Sequence, residues 1–416
     1  MKMIRRAVSR ALIGALLLGG AACSDRFLQV TNPNVVDAST VDPTTGAAFL
    51  AASVQQNFAS AYGWLIMYSA WFTDEANVSD TFPTRNEFGF RVISDLNGSL
   101  LADLWQPLSL AAASGKIVLD LNLPTPTTNI NLARAATFRG YAILLMAENF
   151  CSGTLSSGPE LTTAQVLDSA SFWFGKGIDV GTANGTADGK ALANASLVGR
   201  ARAKLQKGDN AGAAADAAAV PAGFVYNLKY TDDLTNRTRL SNRLWQFSFD
   251  RGSISVSEPY YQLNDPRVPY LAPGKHTMQP QDAVPGGFYV QQKYPAYNSP
   301  IRLASKLEAD YIAAEASGVA AQQLALIAAQ RSANGQPAYA GPVDAASVLK
   351  ELYFQRELDF YLEGKKIADF RRNPTATRNV PVTGAAYIKP GYVPIGSDKC
   401  YPIPRAERDN NPNMTP

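Results

Sequence analysis

Four polar residues follow a dense aromatic run and suggest the first chemistry this sequence offers. Tyr62, Trp64, Tyr68, Trp71 and Phe72 lead into Asp74, Asn77, Asp80 and Arg85. Ring faces cover the apolar C–H face of a pyranose, and planar polar groups take its hydroxyls. Trp64, Tyr68 and Trp71 are spaced by four and three, so they read as one helix face turned to the core. The loop residues after Thr73 are the better ligand candidates. Further along, Tyr260, Tyr261 and Tyr297 supply amphipathic rings in a stretch rich in Asn, Asp, Gly and Pro. Together, Asp74, Asn77, Asp80, Arg85, Tyr260, Tyr261 and Tyr297 are the expected ligand-binding residues.

A second concentration of charge lies between Leu349 and Pro374. Leu349, Leu352, Arg356 and Phe360 share a helix face. An arginine in an apolar stripe needs a partner, because a charge leaving water is costly. Glu357, Asp359 and Glu363 are near enough in sequence to supply one. Glu357 and Glu363 are also the obvious pair for a two-carboxylate glycosidase. Lys365, Lys366, Arg371 and Arg372 make ion pairing the simpler account. Arg356, Glu357, Glu363 and Asp369 are therefore read as a structural ion network, with Arg356 buried against Glu363 or Asp369. Gly364 is read as the helix stop.

Other chemistries find little support. There is no Gly-x-Ser-x-Gly elbow, phosphate loop or dinucleotide fingerprint. The single histidine, His276, rules out multi-histidine metal centres. No metal, cofactor or catalytic residue is expected. Four of the 38 basic residues, and none of the 35 acidic ones, fall in the first 22 positions, so the remainder carries a net charge of −1. That balance gives no electrostatic reason to expect nucleic acid.

These groups need a framework. An apolar fraction of 46% and a charged fraction of 18% are those of a globular chain. Residues 1–22 read as a signal peptide: a basic start, then Ala11 to Leu18, then Gly19-Gly20-Ala21-Ala22. Small residues ending at Cys23 resemble a bacterial lipobox, which would diacylate Cys23 and tether the chain to a membrane surface. Cys151 and Cys400 are equally compatible with a disulfide and with two separate buried thiols. Helical patterning covers Pro43 through Phe58, Trp105 to Leu121, Leu132 to Phe150 and Thr163 to Phe174. Asn194 to Gln206 and Asn210 to Val220, joined by Gly208-Asp209, read as a tetratricopeptide-type hairpin. Composition changes at Pro221, where Trp245 to Phe249 alternates like a short strand. Helices resume at Ile301, Leu324 and Ala345, the last extending to Leu362.

Several motifs resemble the SusD/RagB family of nutrient-binding outer-membrane lipoproteins. They are Arg356-Glu357-Leu358-Asp359-Phe360, Glu363-Gly364-Lys365-Lys366 and Asp369-Phe370-Arg371-Arg372, with Tyr361-Leu362 looking inserted and Lys366 standing where the family tends to have arginine. Asp265-Pro266-Arg267 and the tail Pro402-Ile403-Pro404, Glu407 and Asn411-Pro412-Asn413 match as well. The resemblance implies a mostly α fold, with tetratricopeptide-like hairpins and an irregular insertion carrying a few short strands. It implies a single domain over residues 23–416: a helical scaffold over about 40–220 and 300–374, an insertion over about 221–300 and an extended tail over 375–416. It further implies a lipid-anchored protein of the outer membrane, at the cell surface. Such a protein captures an oligosaccharide or other oligomeric nutrient and passes it to a SusC-like TonB-dependent transporter without chemistry. A glycoside hydrolase and a helical protein-binding scaffold remain as alternatives.

Overall fold

The structure, a computed structural model, describes Asp42 and residues 45–414. The expected signal segment, Cys23 and Pro43 lie outside the described residues. No described helix is long and apolar enough to cross a membrane.

The core is built on α1 (Ala47–Phe72), whose Phe58, Tyr62, Leu65, Tyr68 and Phe72 are all buried. Small residues on the same helix let neighbouring helices approach. Strand β1 (Ala76–Val78) and α2 (Pro83–Phe90) follow. A π-helical turn, Leu100–Trp105, then runs into α3 (Gln106–Leu119). Helix α4 (Ile130–Asn149) is nearly all buried. The short strands β2 (Ser152–Gly153) and β3 (Leu161–Thr162) pair antiparallel.

Helices α5 (Thr163–Asn184), α6 (Ala187–Lys207) and α7 (Asn210–Ala218) continue the scaffold. Thr162 and Gln165 close α5 with a capping box. The pattern stopped at Phe174, but α5 runs on to Asn184. Its continuation packs on α6 through glycine: a Cβ on Gly181 would lie 2.6 Å from the Gly189 carbonyl oxygen. Glycine spacing carries no hydrophobic period, so this contact was invisible to periodicity. Gly208 takes a left-handed conformation and Asp209 caps α7, as a tight helical hairpin requires.

The region after Pro221 has little regular structure. Strand β4 (Val225–Leu228) pairs with β8 (Ile301–Ser305), and β5 (Ile254–Val256) pairs with β1. Helix α8 (Glu258–Tyr261) is one turn long. Strands β6 (Tyr270–Leu271) and β7 (Val290–Gln291) pair with each other. The strand expected at Trp245 to Phe249 is instead helical, Arg243–Trp245 followed by a π-helical turn Gln246–Asp250. Winding the segment stacks Trp245 on Phe249 and buries Phe247 against Trp64. The apolar/polar alternation is satisfied by tertiary packing rather than by a sheet.

Helices α9 (Lys306–Ser317), α10 (Ala320–Ala333) and α11 (Ala345–Asp359) come next, then α12 (Lys366–Arg372). Helix α11 stops three residues before the expected Leu362. The chain turns at Leu362 and Gly364, both in the left-handed region. The turn is fixed from outside, since the Leu362 amide donates to Glu75 Oε1 at 2.9 Å. Residues 375–414 run back over the helices and include one short helix, α13 (Arg405–Asn410). Cys400 on this tail is disulfide-bonded to Cys151 at the end of α4. Tyr401 continues the attachment through backbone hydrogen bonds with Asn149 and Cys151.

Candidate functional site

The charged stretch is packed away from solvent. Arg356 is 4% exposed. Its Nε lies 3.0 Å from Asp369 and its Nη1 3.2 Å from Glu315. Arg372 bridges the same two carboxylates, at 2.6 Å to Glu315 and 3.0 Å to Asp369. Burial opposes ionisation of Glu315, but Arg372 and Arg356 hold its carboxyl below the usual range. Glu363, expected as an alternative partner of Arg356, instead receives Lys293 at 2.9 Å and Arg302 at 2.8 Å. Burial opposes ionisation there too, and these two cations keep its carboxyl low. Glu315 carried no signal of its own role, because it lies some forty residues upstream and meets Arg356 only through the packing of α9 on α11.

Glu357 is the weak point of this network. Its Oε2 is buried without a hydrogen bond and lies 3.7 Å from Lys366 Nζ. Burial pushes its carboxyl up to about 7 against the pull of Lys366. Lys366 spends its protons on the Thr73 carbonyl at 2.8 Å, the Tyr260 hydroxyl at 2.7 Å and the Asn379 carbonyl at 3.1 Å. The whole arrangement joins α1, α8, α9, α11 and α12 and presents no open face to a ligand.

A different region leaves polar groups unused. A cavity of about 260 Å³ opens where α1 ends. Trp71, Asp74, Asn77, Val78, Glu258 and Tyr387 line it, with Pro259 and Ile388 among the apolar walls. The β1–β5 pair builds one side: Ala76 pairs with Val256, and Asp74 and Glu258 flank the ladder at that end. The Asp74 carbonyl accepts from the Ser257 hydroxyl, fixing that end. The tail builds the opposite side. Tyr387 reaches Gly89 so closely that a Cβ there would fall 2.5 Å from its hydroxyl, and that hydroxyl donates to Asn86 at 3.1 Å.

Asp74 is the unusual residue of the cavity. It holds φ at +59°, a conformation costly for a residue with a Cβ. Its carboxylate makes no hydrogen bond or ion pair with any described residue. Burial pushes the carboxyl up to about 7, with Lys366 opposing and Glu258 adding to the rise. Trp71 is 1% exposed, yet its Nε1 donor is also unpaired. Buried donors without partners are rare and call for an explanation. The Asn77 side-chain amide is likewise without a partner in the protein. One acceptor and one amide that can donate and accept therefore meet a single concave space.

The other expected residues are placed differently. Asp80 is fully buried and ion-paired with Arg85, and it also accepts from the Phe82 amide at 2.8 Å. Arg85 lies over the rings of Phe82 and Phe247. Both are consumed by the fold. Tyr260 is fully buried, not on a loop, because α8 turns its ring onto Tyr361 and its hydroxyl onto Lys366. Tyr261, one position on, stays half-buried and stacks on Tyr289, with centroids 3.8 Å apart and planes within 6°. This stack lies one helical turn beyond Glu258. Tyr297 belongs to a separate group, edge-on to Trp245 and under Arg237, with its hydroxyl donating to Asp250 at 2.6 Å.

Among the described residues, no group of three or more His, Cys, Asp or Glu side chains could hold a metal ion. Sequence reasoning missed Glu258 and Tyr387 as cavity residues. Glu258 adjoins the tyrosines already singled out, so proximity in sequence was a usable signal. Tyr387 carried none, because it reaches the cavity only through the path of the tail.

No family model and no curated protein matches this chain. Solved structures do. A SusD superfamily protein from Parabacteroides distasonis superposes with a TM-score of 0.64 at 16% identity, covering 90% of this chain and 99% of that one. A SusD-like carbohydrate binding protein from Bacteroides vulgatus gives a TM-score of 0.68 at 14% identity, covering 89% and 97%. A laminarin binding SusD-like protein gives 0.66 at 15% identity, covering 89% and 98%. The fold is SusD-like, mostly α-helical with a few short strands.

Proposed function

We propose that this protein binds carbohydrate in the cavity between α1, the β1–β5 pair and the tail. The observation that carries the reading is the meeting there of two unpaired polar side chains, the Asp74 carboxylate and the Asn77 amide, beside the Trp71 ring. A sugar ring satisfies such a set: hydroxyls both donate and accept, and its C–H face packs on aromatic walls. The volume lies below the roughly 300–1,000 Å³ of sites for drug-sized ligands, so it suits about one ring of a longer chain. The Tyr261–Tyr289 stack offers the next surface for such a chain. Two SusD-like proteins of the same fold are described as carbohydrate binding and laminarin binding, which supports the class of ligand.

In this reading the protein captures an oligosaccharide without altering it. It hands the ligand to a SusC-like TonB-dependent transporter from an outer-membrane position anchored through Cys23. A glycan array followed by tryptophan-fluorescence titration tests the binding step. Specific binding that is lost in Asn77→Ala is expected, and an empty array would refute it. Mass spectrometry of Cys23 and co-purification of a barrel test the anchor and the partner.

One observation favours a second reading. Asp74 and Glu258 are two carboxylates on one cavity, and burial raises Asp74 to about 7, so that about half of it carries a proton at neutral pH, as a glycosidase acid needs. The pair Glu357 and Glu363, by contrast, is buried among cations. Product analysis after incubation with the bound glycan separates the readings: released sugar would replace capture by hydrolysis.

A further inference from the structure

The charge pattern of the cavity goes beyond a generic sugar site. Its two ionisable carboxylates, Asp74 and Glu258, are met by no lysine or arginine among the lining residues. The nearest cation, Lys366, is buried and donates to Thr73, Tyr260 and Asn379 instead. Glu258 shares one oxygen with Gln262, at 2.6 Å, and keeps the other. Asp74 keeps both. Both acids line the one cavity, and the charge of Glu258 adds to the rise of the Asp74 carboxyl. A backbone strained at Asp74 maintains this arrangement. The Asn77 side chain, 8% exposed and without a hydrogen-bond partner among the described residues, lines the same space and offers its amide to a ligand.

We infer that the cavity selects an amine-bearing sugar unit, a 2-amino-2-deoxy hexose with its nitrogen free, and rejects uronates and sulfated rings. The inference rests on the carbohydrate-binding reading. An ammonium placed between Asp74 and Glu258 relieves their repulsion and gives both carboxylates a charge-assisted hydrogen bond. An anionic ring would meet two acids and no cation. A neutral ring would bind through Asn77 while leaving the two acids without a cation.

The same geometry gives a pH response. The groups that bear on Asp74 are Glu258 from α8 and Lys366 from α12. Tyr260, Tyr361 and Tyr387 pack around it and stay protonated, their own ionisation pushed up by burial. Protonating Asp74 leaves Glu258 as the single acid in the cavity.

The test uses single rings, so that linkage does not enter. The full chain is titrated at pH 7.0 with D-glucosamine, D-galactosamine, D-glucose and D-glucuronate, followed by tryptophan fluorescence and calorimetry. An amino sugar is expected to bind about tenfold more tightly than glucose, with glucuronate weakest. At pH 5.5, where the amine stays protonated, the preference should shrink to about threefold as Asp74 takes up its proton. In Asp74→Asn and Glu258→Gln the ratio of amino sugar to glucose affinity should fall at pH 7.0. Equal affinities for glucose and amino sugars, or a preference for glucuronate, overturn the inference while the carbohydrate reading stands. A lysine tripeptide that competes as well as glucosamine assigns the site to basic peptides and overturns it too. No binding by any ring, together with an empty glycan array, removes both.

Discussion

Two regions of this molecule use the same residue types to opposite ends. Around α11 and α12, carboxylates and cations are buried and engaged: Arg356 with Asp369 and Glu315, Glu363 with Lys293 and Arg302, Lys365 with Glu308. At the end of α1, the Asp74 carboxylate and the Asn77 side-chain amide border a cavity and pair with no described residue. Apart from Glu357, whose Oε2 is buried without a hydrogen bond, the first region is engaged in ion pairs and holds helices together. The second is unsaturated, and its strained backbone at Asp74 shows that the fold tolerates a cost there. What separates scaffold from site is whether a polar group already has its partner, not how many charges a segment contains.

The largest expected effect tests the saturated side. Arg356→Ala leaves Arg372 alone to hold Asp369 and Glu315, and should cost about 3 kcal/mol of stability in denaturant unfolding, the low end for a broken buried pair. Sugar affinity at temperatures where the variant stays folded should be unchanged. A loss of affinity without a loss of stability would move the clamp into the site. Next comes the link between the regions. The Cys151–Cys400 disulfide anchors the tail that carries Tyr387, and replacing both cysteines by serine should cost about 2–4 kcal/mol. Because the tail forms a cavity wall, sugar affinity should fall in this variant as well.

The unsaturated side predicts the reverse pattern. Asp74→Gly removes the carboxylate and suits φ of +59°, so stability should hold or rise by about 0.5–1 kcal/mol. Binding should fall at least about tenfold, the loss of one charge-assisted contact. The smallest effect is in pH. The folded Asp74 carboxyl keeps its proton up to about 7, above its unfolded value of 3.8, so it favours the folded state fully below pH ~4. That contribution fades as pH rises through about 7, and Glu357 behaves alike. Comparing unfolding free energies at pH 5 and 8, Asp74→Asn should flatten the dependence by about 1 kcal/mol, discounted for partial exposure.

Much of the scaffold was legible because periodicity, caps and turns are local signals. Gly208-Asp209 marks a hairpin whose geometry follows from one left-handed glycine and one capping aspartate. The charged segment was legible as a network, since an arginine on an apolar face implies a partner, but the partner Glu315 comes from another helix. Trp245 to Phe249 misled because alternation over five residues fits both a strand and a π-helical turn whose rings pack outward and inward. In the site, Asp74 and Asn77 were visible from their setting after an aromatic helix. Asp80, Arg85 and Tyr260 were not separable from them, because only tertiary contacts show Asp80 paired with Arg85 and the Tyr260 hydroxyl taken by Lys366. The cavity itself depends on the β1–β5 register and the returning tail, and neither is written in any short stretch.

The most direct measurement is a calorimetric titration of the Asp74→Gly protein, with the best glycan from the array, beside its thermal unfolding. Affinity lower by about tenfold or more, at an unchanged or higher Tm, is the result this account predicts. Wild-type affinity in that protein would contradict it, and would show that the unpaired carboxylate at the end of α1 is not where the ligand is held.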